Sequence, residues 1–225
     1  MSVNKEEYLK LIGELQSQHV SLVAVSKTKP VEEILALYEL GQRDFAENYV
    51  QELVDKAGQL PSDIRWHFIG HLQTNKVKNI AAFVQLIQSG DSLKLLKEIN
   101  KQGEKQDRVI DCLLQVHIAE EETKFGLDET ELNELIDQLA EMKMNNVMIC
   151  GLMGMASFTD DMNKVRKEFR YLKKLFDKIS QQQTINIKLQ TLSIGMSSDY
   201  KIAIEEGSNM VRIGSLLFGE REKKG

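Results

Sequence analysis

The sequence predicts an α/β fold: a single (β/α)8 barrel of the TIM type over residues 1–225, with an extra helix at its N-terminus. Short β-branched or Leu-rich runs alternate with amphipathic stretches from one end to the other, the pattern of repeated βα units. Eight such runs stand at 21–26, 44–48, 65–69, 84–88, 109–117, 147–152, 189–194 and 210–213. Several are apolar throughout, as in Leu22-Val23-Ala24-Val25 and Val147-Met148-Ile149-Cys150. Strands covered on both faces read this way, and that points to a parallel sheet. A doubly wound open sheet is the competing architecture. It usually carries fewer strands and a glycine-rich phosphate loop after the first, where this chain has Ser26-Lys27-Thr28-Lys29-Pro30.

Taken in order, the elements support one another. Tyr8, Leu11, Ile12 and Leu15 share a helical face, which predicts a helix before the first strand, placed to fill the position of the missing eighth outer helix. Within 128–142, Leu132, Leu135, Ile136, Leu139 and Met142 form one stripe, and Asp128 with Glu131 reads as a capping box. The next helix repeats the spacing through Val165, Phe169, Leu172, Phe176 and Ile179, with Asp160 or Asp161 near its start. A last helix is expected from Asp199 to Glu206.

Composition narrows the function classes. A length of 225 residues suits one barrel, since such folds run to about 250 residues as one domain. With only two prolines and no Gly/Ser-rich stretch, no linker is evident. A formal net charge of -5 argues against a protein that grips nucleic acid through its phosphates. The mixed run Arg221-Glu222-Lys223-Lys224 reads as a solvated tail. No apolar run approaches the roughly 20 residues of a membrane span, and the polar start lacks the apolar core of a signal peptide. A cytoplasmic protein is expected. Cys112 and Cys150 each sit in an apolar run and read as small buried hydrophobes rather than as a disulfide or a metal site.

In this fold the active face is built at the C-terminal ends of the strands, and the loops after strands 7 and 8 frequently bind phosphate. Those ends carry Lys27, then Glu47 and Asn48, then Gly70-His71. The fifth leads to Lys124, the sixth ends in Gly151-Leu152-Met153-Gly154-Met155, the seventh in Gly195-Met196-Ser197-Ser198-Asp199, and the eighth in Arg212-Ile213-Gly214-Ser215. Ser197 and Ser198 stand where a helix should begin, so hydroxyls and unpaired backbone N–H groups converge there. Gly214 and Ser215 repeat the device, with glycine permitting close backbone approach. Either serine alone could be a plain helix cap; two such positions with Arg212 beside them read as an anion site. A lysine at the end of an apolar strand is a candidate Schiff-base nucleophile. Lys27 and Lys29 both qualify, and because the strand is apolar on both faces, alternation does not choose between them. A phosphate site and a buried lysine in one barrel mouth suggest pyridoxal phosphate. His67 and His71 straddle a strand end with no third ligand evident, so no metal is expected. Glu120-Glu121-Glu122 reads as a solvated loop, Met148, Met153, Met155 and Met196 as core and pocket filler, and Trp66 as packing.

The segments AVSKTKP (24–30), FAENYVQE (45–52), WHFIGHLQTNK (66–76), GLMGMA (151–156), LSIGMSSDY (192–200) and VRIGSLLFG (211–219) together resemble the pyridoxal phosphate homeostasis proteins, a family related to the barrel domain of alanine racemase. The resemblance covers essentially the whole chain. It implies pyridoxal 5′-phosphate held as a Schiff base on Lys27, phosphate contacts from Ser197, Ser198, Gly214 and Ser215, Arg212 facing the pyridine nitrogen, and Asn48 lining the pocket. One departure is Ala46, where relatives often have glycine; a methyl group there changes little. The implied role is a non-catalytic carrier that buffers or delivers the cofactor. No catalytic residue is expected, the partners are the cofactor and pyridoxal phosphate-dependent apoenzymes, and the protein is expected to be a monomer. The alternative is a racemase-like enzyme using the same Schiff base. It is disfavoured by an arginine opposite the pyridine nitrogen and by a length that the barrel consumes, leaving nothing for the second domain of racemases.

Overall fold

The computed structural model describes residues 3–119, 125–182 and 184–219. Among these, eight strands close into a parallel barrel in chain order: β1 (Ser21–Val25), β2 (Asp44–Glu47), β3 (Arg65–Phe68), β4 (Leu86–Gly90), β5 (Ile110–Val116), β6 (Val147–Gly154), β7 (Ile187–Ser193) and β8 (Met210–Ile213). Closure comes from β8 pairing with β1, Val211 opposite Leu22 and Arg212 opposite Val23. The connections are α2 (Val31–Glu39), α3 (Val50–Ala57), a 3-10 turn (Thr74–Lys76) running into α4 (Val77–Ile80), α5 (Leu93–Lys105), α6 (Glu129–Glu141), α7 (Met162–Ser180) and α8 (Tyr200–Glu205). After β8 comes only a single turn, α9 (Ser215–Phe218). The leading helix α1 (Lys5–Ser17) lies beside it, with Tyr8, Leu11 and Leu15 buried and the Asn4 N–H bonded to the Leu217 carbonyl at 2.8 Å. Thus α1 covers the stretch of sheet that four residues of α9 cannot.

The cores follow from the two faces of the sheet. The larger lies between strands and helices and takes in Phe45, Phe68, Phe169 and Phe218, all fully buried, with Trp66 packed at its edge. A smaller cluster of Leu86, Leu113 and Met153 forms a second layer, with Met155 and Met210 against it.

Helix ends follow the local signals. Asp128 and Glu131 form the capping box in both directions, at 2.8 and 3.0 Å. At α7 the cap is Asp161, which accepts from Asn163 and Lys164. Strand β4 departs from expectation by two residues, running through Ser89-Gly90 instead of ending at 88. That dipeptide has the chemistry of a turn, yet both residues are fully buried in the barrel wall. A Cβ on Gly90 would come within 2.8 Å of the Cys112 sulfur.

Candidate functional site

The C-terminal ends of the strands open into a cavity of about 380 Å³, within the ~300–1,000 Å³ usual for small-molecule sites. Lys27, Asn48, Ser197, Ser198, Arg212, Gly214 and Ser215 all line it. The seven residues singled out in the sequence therefore meet in one place. Met153, Met155, Met196 and Phe158 supply apolar wall.

Lys27 is half-buried on the turn that follows β1. Lys29, two residues on, has its Nζ 2.6 Å from the Phe218 carbonyl and 3.9 Å from the Glu33 carboxylate. Its ammonium thereby ties the turn to α9 and α2, while Lys29 lines the same cavity as Lys27. Asn48 leaves the end of β2 above Gly70, where a Cβ would fall 2.0 Å from the Asn48 carbonyl. Glycine at 70 is what lets the two strand ends come together and keeps Asn48 on the cavity wall.

The loops after β7 and β8 are joined by a hydrogen bond from the Gly214 N–H to Ser197 Oγ at 3.3 Å. Neither serine caps the following helix. Asp199 occupies that position, and its carboxylate accepts the Met196 N–H at 2.6 Å instead. With α8 only six residues long and α9 four, helix dipoles add little. The donors are the hydroxyls of Ser197, Ser198 and Ser215 and nearby backbone N–H groups. Gly214 has an ordinary φ of -120°, and an added Cβ would meet nothing nearer than the Val25 carbonyl at 3.4 Å. The fold does not require glycine there; the space it leaves belongs to the cavity.

Arg212 is buried, and its fork is anchored: Nη1 donates to the Ser193 carbonyl at 2.7 Å and to Ser193 Oγ at 2.6 Å, Nη2 to the Gly154 carbonyl at 2.9 Å. These use three of its five N–H donors. Burial pulls its pKa down to about 10, with Asp199 opposing, so it stays cationic near neutrality. From Ser193 the hydrogen bonds continue across the barrel interior. Ser193 Oγ donates to Gln88 Oε1 at 2.7 Å, Gln88 Nε2 lies 3.0 Å from His67 Nδ1, and His67 Nε2 lies 3.2 Å from Asp44 Oδ1. Donor leads to acceptor at each step when His67 is the neutral Nε2–H tautomer. Although burial works against its charge, hydrogen bonds from Arg65 and His67 hold Asp44 at about 2. The chain therefore runs from a cation at the mouth to an anion at the far end.

The supporting side chains Ser193, Gln88 and His67 were not picked out from the sequence as a group. Their signal was present: a polar residue within an apolar strand must find a partner inside the barrel. His71 is turned away from His67, stacked on Phe125 at 4.8 Å with Asp91 at 3.2 Å. Among the described residues no three His, Cys, Asp or Glu gather as a metal site. Burial pushes the Cys112 thiol up and that of Cys150 to about 12, so neither is a thiolate at neutral pH. Lys124, Glu120-Glu121-Glu122 and the run 221–224 lie outside the described residues.

Fold and cavity together define a TIM-type barrel with one anchored arginine, two lysines (Lys27 and Lys29) and a hydroxyl-lined cleft at its mouth. Residues 6–222 match the family model described as alanine racemase, N-terminal domain. A pyridoxal phosphate homeostasis protein of Aquifex aeolicus is 44% identical over 202 residues, covering 89% of this chain and 87% of that one. The human protein of the same name is 37% identical over 211 residues, covering 89% and 76%. The structure of PipY from Synechococcus elongatus with pyridoxal phosphate bound superimposes with a TM-score of 0.83 at 33% identity, covering 93% of this chain and 99% of that one. The chain belongs to the pyridoxal phosphate homeostasis protein family.

Proposed function

We propose that this chain binds pyridoxal 5′-phosphate in the barrel mouth, covalently through Lys27, and stores or delivers it without catalysing a reaction on it. The supporting observation is the convergence of Lys27, Arg212 and the Ser197–Gly214–Ser215 cleft on one cavity. That donor set fits an anionic aldehyde with a basic ring nitrogen. When bound, pyridoxal phosphate supplies an aldehyde that condenses with a neutral amine and a ring that can accept electrons. Ser197, Ser198, Gly214 and Ser215 would hold the phosphate, Arg212 would face the ring nitrogen, and Asn48 would line the pocket. On this reading the protein is a cytoplasmic monomer that hands the cofactor to pyridoxal phosphate-dependent apoenzymes. No helix of the described residues is long and apolar enough to cross a membrane.

The test is an absorbance spectrum of the purified protein with the cofactor, followed by borohydride reduction. A visible band lost on reduction, with cofactor mass on the peptide carrying Lys27, is the expected result. No added mass, or mass on Lys29, refutes the assignment. Light scattering checks the monomer.

Racemisation is the second reading, favoured by the family model's alanine racemase description. Arg212 speaks against it. A guanidinium held cationic beside the ring nitrogen keeps that nitrogen unprotonated, and the ring is then a weaker electron sink.

A further inference from the structure

Lys27 sits between two residues that a buried ion cluster grips. Thr28 has a φ of 66°, a left-handed conformation that a β-branched residue adopts only under constraint. The constraint comes from α3: Glu52 Oε1 accepts the Thr28 N–H at 2.6 Å. Lys56, one turn further along α3, donates to that same oxygen at 2.7 Å, to the Ser26 carbonyl at 2.8 Å and to Glu47 Oε1 at 2.8 Å. Ser26 Oγ closes the group by donating to Glu47 Oε1 at 2.6 Å. The residue before Lys27 and the residue after it are therefore held by one cluster drawn from β2 and α3.

The cluster is poorly explained as a source of stability. The Lys56 and Glu47 side chains are 7% and 0% exposed, and well-packed hydrophobic residues usually serve a core as well as a buried ion pair or better. Glu47 Oε2 is buried with no hydrogen-bond partner among the described residues, which is costly. What the cluster secures is the shape of the Ser26–Lys27–Thr28 turn. We infer that Glu47, Glu52 and Lys56 are positioning residues that hold Lys27 aimed into the cavity for covalent capture of an aldehyde cofactor, an inference that rests on the function proposed above. In that capture the neutral Lys27 amine adds to the aldehyde carbon. Both amine protons leave with the aldehyde oxygen as water, and a C=N bond remains. A nucleophile displaced by even about 1 Å loses much of its rate.

Glu52→Ala removes the grip on Thr28 from a half-exposed position. Covalent capture, followed by the visible band and by borohydride-trapped mass on the Lys27 peptide, should slow by roughly tenfold to a hundredfold, the worth of one charge-assisted hydrogen bond. Affinity for 4′-deoxypyridoxine 5′-phosphate, which has no aldehyde, should stay unchanged. Glu52→Gln, whose side-chain carbonyl still accepts from Thr28, should restore most of the rate. The double variant Glu47→Gln/Lys56→Met removes both buried charges without stranding either and should show the same split. Unchanged capture in Glu52→Ala and the double variant overturns the inference. So does an equal loss for both ligands, which would make the cluster a general support of the pocket. If the wild-type protein itself gains no mass at Lys27, the cofactor reading fails and the clamp with it.

Discussion

At the scale of single residues, the proposed covalent chemistry falls to one of two lysines on the same turn. Lys29 donates to the Phe218 carbonyl and lies near Glu33, and it lines the same cavity as Lys27. Lys27→Ala should abolish the visible band with the cofactor and leave the thermal unfolding transition in place, while Lys29→Ala should keep the band. The reverse pattern, read by absorbance and melting, would move the site to Lys29. Replacing Ser197 and Ser215 together by alanine removes hydroxyl donors worth about 1.5–3 kcal/mol each toward a charged group. The double variant should bind pyridoxal phosphate more than about a hundredfold more weakly, with little change for pyridoxal, which lacks the phosphate. Equal losses in a titration of both would place the phosphate elsewhere. Glu47 makes a third case. Burial pushes its carboxyl up to about 7, against the pull of Lys56 and Ser26, so the folded state holds a proton that the unfolded chain releases at ordinary carboxylate pH. Its contribution to stability is present below about pH 4.5 and lost as pH rises to about 7. Urea midpoints should show that loss in the wild type and not in Glu47→Gln.

At the scale of elements, local rules and barrel closure divide the work. The capping box on α6 is legible in four residues because its partners are adjacent in sequence. Asp128→Ala should cost about 0.5–2 kcal/mol, lowering the melting temperature by roughly 2–4 °C per kcal/mol in a chain of this size. A melting curve that does not move would mean that packing of the Leu132, Leu135 and Leu139 stripe sets that helix end alone. Strand β4 shows the opposite case. Ser89-Gly90 reads as a turn, but closure against β5 makes it wall, because a neighbour distant in sequence supplies the contacts. At α8 the helix start was visible, but no side chain caps it: Asp199 stands at the N-cap position and its carboxylate accepts the Met196 N–H instead.

At the scale of the whole molecule, the barrel interior joins the mouth to the far end by hydrogen bonds from Arg212 through Ser193, Gln88 and His67 to Asp44. This arrangement holds a cation at the mouth, and the carrier function proposed above is tested by catalysis itself. The wild-type protein should show no racemisation of L-alanine above background by chiral chromatography. Turnover on the order of 1 per second, the low end of ordinary enzymes, would promote the second reading.

The sequence by itself determined the alternation of strand and helix, the parallel sheet, the number of strands and the set of residues at their C-terminal ends. These depend on periodicity and on short-range chemistry, and both are written along the chain. Only the tertiary structure tied Lys29 to the Phe218 carbonyl, brought Lys56 under the Lys27 turn and placed Gln88 beside Ser193. Each of those outcomes rests on partners tens of residues apart. Such partners meet only once the strands lie side by side in the barrel, and no local pattern encodes which of several polar side chains will then lie within hydrogen-bonding reach.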